Sequence, residues 1–421
     1  MLDLKLIRSE PERIKAALAR RGAADQVDEL LTLDERRRRL LPEIEGARSE
    51  RKRESEKIGA LKKAGEDATA QMEAVRQLKS RLEEMEGELE GIESRLNEVA
   101  ASLPNLPDPS SPDGFTDEDA ELVREVGTTP RFAFEPKDHV ELAGDAIELE
   151  AAARVSGARF AYLKGDLVML EFALVRWALE KLRAEGHEPV VPPILVREEA
   201  LFGTGFLPGD RDQIYELEKD ELFLAGTSEV PLAGLHAGQI LEADQLPLRY
   251  AGFSSCFRRE AGAAGRDTHG IFRVHQFDKV EMFSFVKPEN AVAEHERILA
   301  IEESVLTDLG LPYRVVNVAA GDLGGSAAKK YDCEAWIPSQ DRYRELTSCS
   351  NTTDFQARRI GCRYRPEPGA QPEFANTLNG TAVAVGRTII ALLENHQQAD
   401  GTVEVPEVLL PFGAPPTIGS A

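Results

Sequence analysis

Cysteine and long apolar runs are both scarce in this chain of 421 residues, and each scarcity excludes something. Its four cysteines, Cys256, Cys333, Cys349 and Cys362, show no C-x-x-C pairing. That argues for a reducing cytosol and against a structural zinc site. No run of about 18 apolar residues occurs, so no membrane span or membrane partner is expected. The first residues, MLDLKLIRSEPERIK, lack an apolar signal core and a cleavage site, and a cytoplasmic location is expected. A Walker A sequence is missing, as is G-x-G-x-x-G after a strand-like run, so a nucleotide site would be neither a P-loop nor a dinucleotide fold. No Ser-His-Asp or Cys-His arrangement is evident.

What is present suits a globular protein of more than one domain, with 42% hydrophobic and 30% charged residues. The formal charge of −23 seems wrong for a nucleic-acid binder, but its distribution matters more than its sum. Residues 36–63 carry about 11 basic and about 5 acidic groups, whereas 73–98 carry about 4 and about 8. Ahead of these, Ser9 and Glu12 have capping-box spacing, Pro11 suits a first turn and Gly22 a stop, which predicts one short helix. Leu30, Leu33, Leu40, Ile44, Ala47, Ile58 and Leu61 then fall on heptad a and d positions, interrupted by Arg37, Arg51 and Glu54. Pro42 is expected to kink or loosen that helix. A second seam, Val75, Leu78, Leu82, Met85, Leu89, Ile92, Leu96, Val99 and Leu103, alternates by three and four without a miss. With KKAGEDAT (62–69) as the turn, the pair reads as an antiparallel helical hairpin forming an arm.

The proline-rich SLPNLPDPSSPDG (102–114) is the best domain boundary. Beyond it, helix-like stretches such as Leu167–Glu185 alternate with EPVVPPILV, RYAGFSSCF, RVHQFDKVEMFSF and YRVVNVA, and a last long helix is expected near Thr381–His396. These spacings predict an α+β domain, an antiparallel sheet with helices on it. Within it, FRREAGAAGRDTHGIFRVHQFDKVEMF (257–283) has the look of a long-loop hairpin around Ala261–Gly270. Alternation puts Arg258 and Glu260 on one face. On the returning strand it groups Arg273, His275, Phe277, Lys279 and Glu281, with Phe272, Val274, Val280 and Met282 pointing the other way.

At this hairpin the sequence resembles the seryl-tRNA synthetases, a class II aminoacyl-tRNA ligase family, and the resemblance covers essentially the whole chain. The three class II motifs look like LRAEGHEPVVPPILV with Pro193, the FRxE hairpin of Phe257, Arg258, Arg259 and Glu260, and LNGTAVAVGRTIIALLENHQ with Arg387. Gly386 stands where an acidic residue is often found before that arginine. TSEV (227–230), HQFDKVE (275–281), ELTSCSN (345–351) and the N-terminal arm are similar to the family's own marks.

The resemblance implies ATP-dependent activation of L-serine to seryl-adenylate and transfer of the seryl group to tRNA(Ser), and to selenocysteine tRNA where present. It implies Mg²⁺ carried with ATP, and a homodimer built through the first motif. The implied domains are 1–103 as a tRNA-binding arm (hairpin about 27–101), 104–115 as a linker and 116–421 as the catalytic domain. For ATP it implies Arg258, Arg259, Glu260, Arg273, Val274, Phe277, Glu345, Leu346, Thr347, Ser348 and Arg387. Among these, Arg258 and Arg387 are catalytic on the α- and γ-phosphates, Phe277 stacks on adenine, and Glu345 and Ser348 serve the metal. For serine it implies Thr227, Ser228, Glu229, Glu281, Asn379 and Thr381. In-line displacement at phosphorus needs positioning and charge neutralisation more than a protein nucleophile. His275 reads as a structural histidine and Cys349 as a small filler. Arg36, Arg37, Arg38, Arg39, Arg51, Lys52 and Arg53, with Arg48, Lys57, Lys62 and Lys63, make a basic stripe suited to RNA phosphates. A paralogue loading a carrier protein and a scaffold without activity remain rivals. The complete arm speaks against the first and the intact ATP-site residues against the second, while a duplicate serving antibiotic resistance would look nearly the same.

Overall fold

The computed structural model describes residues 1–262, 267 and 269–419. The loop expected over Ala261–Gly270 therefore lies partly outside the described residues. Backbone contacts divide the chain into two units, Leu2–Leu103 and Pro104–Ala421 with Met1.

The first unit is helical: α1 (Leu4–Ser9), α2 (Pro11–Ala19), α3 (Ala24–Ala64) and α4 (Thr69–Ser102). Two short helices stand where one was expected. Ser9 is not a cap but the last residue of α1, where its hydroxyl donates to the Leu6 carbonyl. The N-cap of α2 is Glu10, and Pro11, which has no N–H to continue the preceding helix and suits the first turn of a new one, stands at the break. By contrast α3 runs on through Pro42 without ending. At 1.5 Å per residue α3 is about 60 Å long. It stops at Gly65, whose φ of +74° only glycine adopts readily, with Glu66 N–H on the Leu61 carbonyl and Gly65 N–H on Lys62. Leu40, Ile44 and Ala47 of α3 pack with Leu82, Met85 and Ile92 of α4, the antiparallel seam the heptads require. Asp34 is buried in α3 and meets Arg8 of α1 at 3.2 Å.

The second unit is built on an eight-stranded sheet: β1 (Glu121–Val126), β2 (Glu188–Val190), β3 (Leu248–Phe257), β4 (Gln276–Val286), β5 (Tyr313–Asn317), β6 (Lys329–Ile337), β7 (Arg342–Asn351) and β8 (Asn376–Ala384). Their order is β1-β5-β6-β7-β8-β4-β3-β2. Every pairing is antiparallel except β2 on β3, a parallel edge absent from the antiparallel expectation. One face is covered by α6 (Asp166–Ala184), α7 (Ala291–Asp308) and α9 (Val385–Asn395). Leu170, Leu174, Ile298, Val305, Ile389 and Leu393 there join Val280, Met282, Val315 and Leu378 of the sheet in one core. The short helices α5 (His139–Ala143) and α8 (Phe355–Ile360) flank the site described below.

Two expectations shift. The last helix starts at Val385, not near Thr381, because Asn376–Ala384 is a central strand buried at all nine positions. A strand buried on both faces shows no alternation of polarity, so periodicity does not tell it from a buried helix. The hairpin ladder ends at Phe257 and resumes at Gln276. Glu260 has φ +50° and Gly262 and Gly270 are also left-handed, so strict alternation fails between them. The proline-rich stretch is pinned to the body: the Asn105 side-chain amide donates to the carbonyls of Ser326 and Thr352, each at 2.9 Å.

Candidate active site

Strands β4, β6, β7 and β8 and the segments beside them surround a cavity of about 420 Å³. Phe277, Lys279 and Glu281 all line it from β4, the period-two face expected, while Val280 and Met282 enter the core behind. Glu345 and Ser348 line it from β7, and Asn379 and Thr381 from β8. Thr227 and Glu229 come from the chain before β3, Arg258 and Glu260 from just after it, and Arg387 from the first turn of α9. These residues span more than 150 positions of sequence; the sheet brings them together.

At one end the cavity is cationic and half-open. Arg258 Nε donates to the Gly226 carbonyl at 3.2 Å, and its guanidinium lies 5.3 Å from the centre of the Phe277 ring. Arg387 donates to the Glu345 carbonyl at 2.9 Å, with its guanidinium 4.9 Å from the Phe272 ring centre. Arg273 pairs with Glu260 at 2.7 Å. Burial works against the charge of Glu345, but Lys330, Arg387 and Arg258 together hold its carboxyl at about 2, so it stays ionised. Phe272 and Val274 line the cavity too rather than pointing away, a consequence of the broken ladder.

The other end is buried and hydrogen-bonded throughout. Lys279 Nζ lies 2.5 Å from Glu281 Oε2, and the Thr381 hydroxyl donates to the same oxygen at 3.1 Å. Glu229 Oε1 accepts from Gln356 Nε2 at 2.7 Å and from Asn379 Nδ2 at 3.0 Å, and the Glu229 N–H donates to the Thr227 hydroxyl. Burial, then the nearby negative charge of Glu281, pushes the Glu229 carboxyl up to about 7, against the Gln356 bond. Glu281 has a cation at contact distance. Glu229 is held by neutral amides instead.

Three expected site residues send their side chains elsewhere. The Ser228 hydroxyl donates to the Gly252 carbonyl behind the cavity, and the Thr347 hydroxyl donates to the buried Glu302 carboxyl. Arg259 lies over the Tyr215 ring at 5.9 Å and is not part of the lining. Leu346 lines the cavity, beside the register shift where β6 meets β7. His275 hydrogen-bonds the Arg258 carbonyl through Nδ1 at 2.9 Å, and Cys349 is wholly buried. Sequence reasoning left Lys279 without a role, although it shares the face of Phe277 and Glu281. It missed Gln356 on α8 and Lys330 on β6, for which no local pattern signals a site.

Along the arm, Arg36 pairs with Glu88, Arg37 with Glu93 and Arg48 with Glu86, at 2.7–2.8 Å. These arginines of the basic stripe meet the acidic helix. Arg38 lies 3.9 Å from Asp34. Arg39, Arg51, Lys52 and Arg53 are exposed and form no ion pair among the described residues.

Comparison with known proteins matches both units. Residues 1–107 match the seryl-tRNA synthetase N-terminal domain, and residues 214–396 the class II tRNA synthetase core domain (G, H, P, S and T). The chain is 49% identical to the serine–tRNA ligase of Thermobifida fusca, covering 98% of this chain and 97% of that one. It is 50% identical to that of Streptomyces coelicolor, with coverage of 98% and 97%. Among solved structures, the seryl-tRNA synthetase of Pyrococcus horikoshii complexed with ATP superposes with a TM-score of 0.92 at 41% identity, covering both chains fully. The cytoplasmic serine–tRNA ligase of Naegleria fowleri in complex with AMP gives 0.87 at 30% identity, over 99% of this chain and 98% of that one.

Proposed function

The chain belongs to the seryl-tRNA synthetase family, and from that premise we propose how its residues divide the work. It is a class II serine–tRNA ligase: it activates L-serine with ATP and transfers the seryl group to tRNA. The observation that carries the residue assignment is the single cavity whose one end is cationic and whose other end is a closed polar pocket. A serine carboxylate oxygen attacks the α-phosphorus, the bond to pyrophosphate breaks, and pyrophosphate leaves. The terminal ribose hydroxyl of tRNA then attacks the seryl carbonyl and AMP departs.

Arg258, already oriented by the Gly226 carbonyl and the Phe277 ring, meets the α-phosphate, where charge grows in the transition state. A planar fork suits that task. Arg387 meets the γ-phosphate. Glu260 accepts from the adenine amine and Phe277 stacks on the base, with Arg273 released from Glu260 towards the phosphates. Glu345, held ionised, and Ser348 offer the hard oxygen ligands that Mg²⁺ takes alongside substrate phosphates. Among the described residues no group of three or more His, Cys, Asp or Glu could hold a metal ion. Bound alongside the substrate phosphates, Mg²⁺ neutralises their charge.

In the serine pocket the charges sort the substrate's groups. Lys279 already balances Glu281, so the serine ammonium goes to Glu229. Its hydroxyl goes to Glu281 and Thr381. Such a pocket rejects alanine, because Glu281 and Thr381 would lose their partner. Thr227 holds the Glu229 backbone N–H, and Asn379 with Gln356 sets its carboxylate.

In the same proposal residues 1–103 hold tRNA(Ser), and selenocysteine tRNA where a cell has one, through the exposed basic residues of α3. Residues 116–421 catalyse, with 104–115 between them. Exposed apolar side chains on and beside the first motif, Met169, Phe172 and Val191, suit a homodimer face; a single-chain mass in light scattering would argue against it. No helix of the described residues is long and apolar enough to cross a membrane, and all four cysteines are free; we place the enzyme in the cytoplasm. Serine-dependent ATP–pyrophosphate exchange tests the assignment. Glu281→Ala should raise the KM for serine while the KM for ATP holds. A shift in ATP instead would invert the two ends of the cavity.

A further inference from the structure

Ile271, Phe272, Arg273 and Val274 line the nucleotide end of the cavity, yet they lie outside the sheet ladder, which resumes at Gln276. Something other than strand pairing must fix them. The Ile271 N–H donates to Nε2 of His139 at 3.2 Å. A ring nitrogen that accepts carries no proton, so the neutral ring is protonated on Nδ1. That Nδ1–H donates to Glu394 Oε1 at 3.1 Å. The Glu394 carboxylate is fully buried on α9 and also accepts from the backbone N–H of His139 at 3.2 Å and of Ser339 at 3.0 Å. Gly270 supports the same reading. Its φ is +66°, and a Cβ there would stand 1.9 Å from His139 Nε2, so the chain is pressed against the ring.

We propose that His139 is a positioning residue for adenylate formation, a latch between the segment 271–274 and the helix that carries Arg387. Glu394 lies two helical turns after Arg387 on α9. One imidazole therefore ties the floor of the nucleotide site to the element that supplies its second arginine. Phe272, the next residue after the latched amide, bears the guanidinium of Arg387 on its ring at 4.9 Å and that of Arg344 at 4.0 Å. A drift of Ile271 would move Phe272 and with it the rest position of Arg387. The titratable and charged groups near the ring are Glu394 from α9, Asp138 and His269, which pair at 2.9 Å, and Asp267 and Arg342 across a neighbouring cavity. The inference rests on the ATP reading of the site only for its consequence, not for the latch itself.

The experiment has two readouts on the full chain. Amide hydrogen exchange over residues 271–275 reads the latch without substrate. In His139→Ala it should rise about tenfold, the loss of one hydrogen bond, while the central strand 376–384 stays protected. Pyrophosphate exchange reads the consequence. The KM for ATP should rise roughly tenfold to a hundredfold, the scale of a small misplacement, with the KM for serine within about twofold. His139→Gln, which keeps a donor and an acceptor, should recover most of both. Gly270→Ala should raise the KM for ATP in the unaltered background and do less in His139→Ala, since the ring it collides with is gone. If His139→Ala does not fold, Gly270→Ala decides alone, and an unchanged KM for ATP there overturns the proposal. Unchanged amide exchange in a folded His139→Ala also overturns it, as does an equal rise in both KM values. Absence of serine-dependent exchange in the unaltered chain would overturn the reading of the site instead, and the amide readout would still judge the latch.

Discussion

Arginine in the helical arm and arginine in the catalytic body are held in different ways. Arg36 and Arg48 of the arm face glutamates on an open surface, with more than half of each side chain exposed. Arg387 in the body is about one quarter exposed, against a ring, a backbone carbonyl and, at 3.5 Å, the Glu345 carboxylate. Exposed pairs of the first kind contribute about 0–1 kcal/mol each. What they supply is register: Arg37 opposite Glu93 and Arg48 opposite Glu86 suit one antiparallel alignment of the seams. Arg258 and Arg387 line an open cavity with their guanidinium groups before any ligand arrives. The lesson is that the arm's basic character is partly consumed at home. Among the described residues of the stripe, Arg39, Arg51, Lys52, Arg53, Lys62 and Lys63 are exposed and form no ion pair, and these are the ones left for the RNA backbone proposed above.

The comparison predicts its largest effect in the body. Arg258→Ala should leave the fold intact and slow pyrophosphate exchange by the amount of one lost transition-state donor, ~3–4 kcal/mol, or on the order of 10² to 10³ in rate. Exchange within about threefold of normal would show that the guanidinium does not meet the α-phosphate.

A smaller effect follows from the raised carboxyl of Glu229, at about 7. As pH falls through 7 the group takes up a proton and loses the charge assigned above to the serine ammonium. The KM for serine should therefore rise on going from pH 8 to pH 6, and Glu229→Gln should flatten that profile. The stability sign runs the other way. The folded carboxyl keeps its proton above the ordinary glutamate range of about 4.5, so between about 4.5 and 7 the unfolded chain binds fewer protons and this group destabilises the fold progressively as pH rises. In Glu229→Gln the midpoint of urea unfolding should fall less over that interval than in the parent. A parent midpoint that rises as steeply as the variant's would contradict the assignment.

The smallest effects belong to the arm, where they discriminate within it. Charge reversal at Arg51, Lys52 and Arg53 should raise the KM for tRNA and flatten its salt dependence, since fewer counterions are released per complex. Gln at Arg36, Arg37 and Arg48 should leave the salt dependence nearly unchanged, because those charges are engaged by α4. Equal effects of the two triples would erase the distinction between engaged and free arginines.

The parts of this arrangement legible in the sequence are local. The seams of α3 and α4 and their turn follow from a heptad count, and the grouping of Phe277, Lys279 and Glu281 follows from a period of two. What could not be read depends on partners distant in the chain. Gln356 reaches Glu229 from another helix, and the pairing that occupies Arg36 requires the register between α3 and α4 as well as each seam. The late start of α9 escaped because a strand buried on both faces carries no alternation. Ser228 and Thr347 were implicated by belonging to a matching run of residues. In a strand, though, half of any such run faces away from the site, and Thr347 does so between two neighbours that line it.

The central claim is that one unit makes the adenylate and the other holds the tRNA. Its most direct test replaces Val27–Ala100 by a short Gly/Ser linker and measures both half-reactions on the same preparation. The Leu40–Ile92 seam is internal to the arm, and every residue assigned to ATP or serine lies at or beyond Thr227. Serine-dependent pyrophosphate exchange should therefore persist at a rate near that of the full chain, while charging of tRNA collapses. Near-normal charging by the armless protein, or loss of both activities in a protein that still folds, would contradict the division.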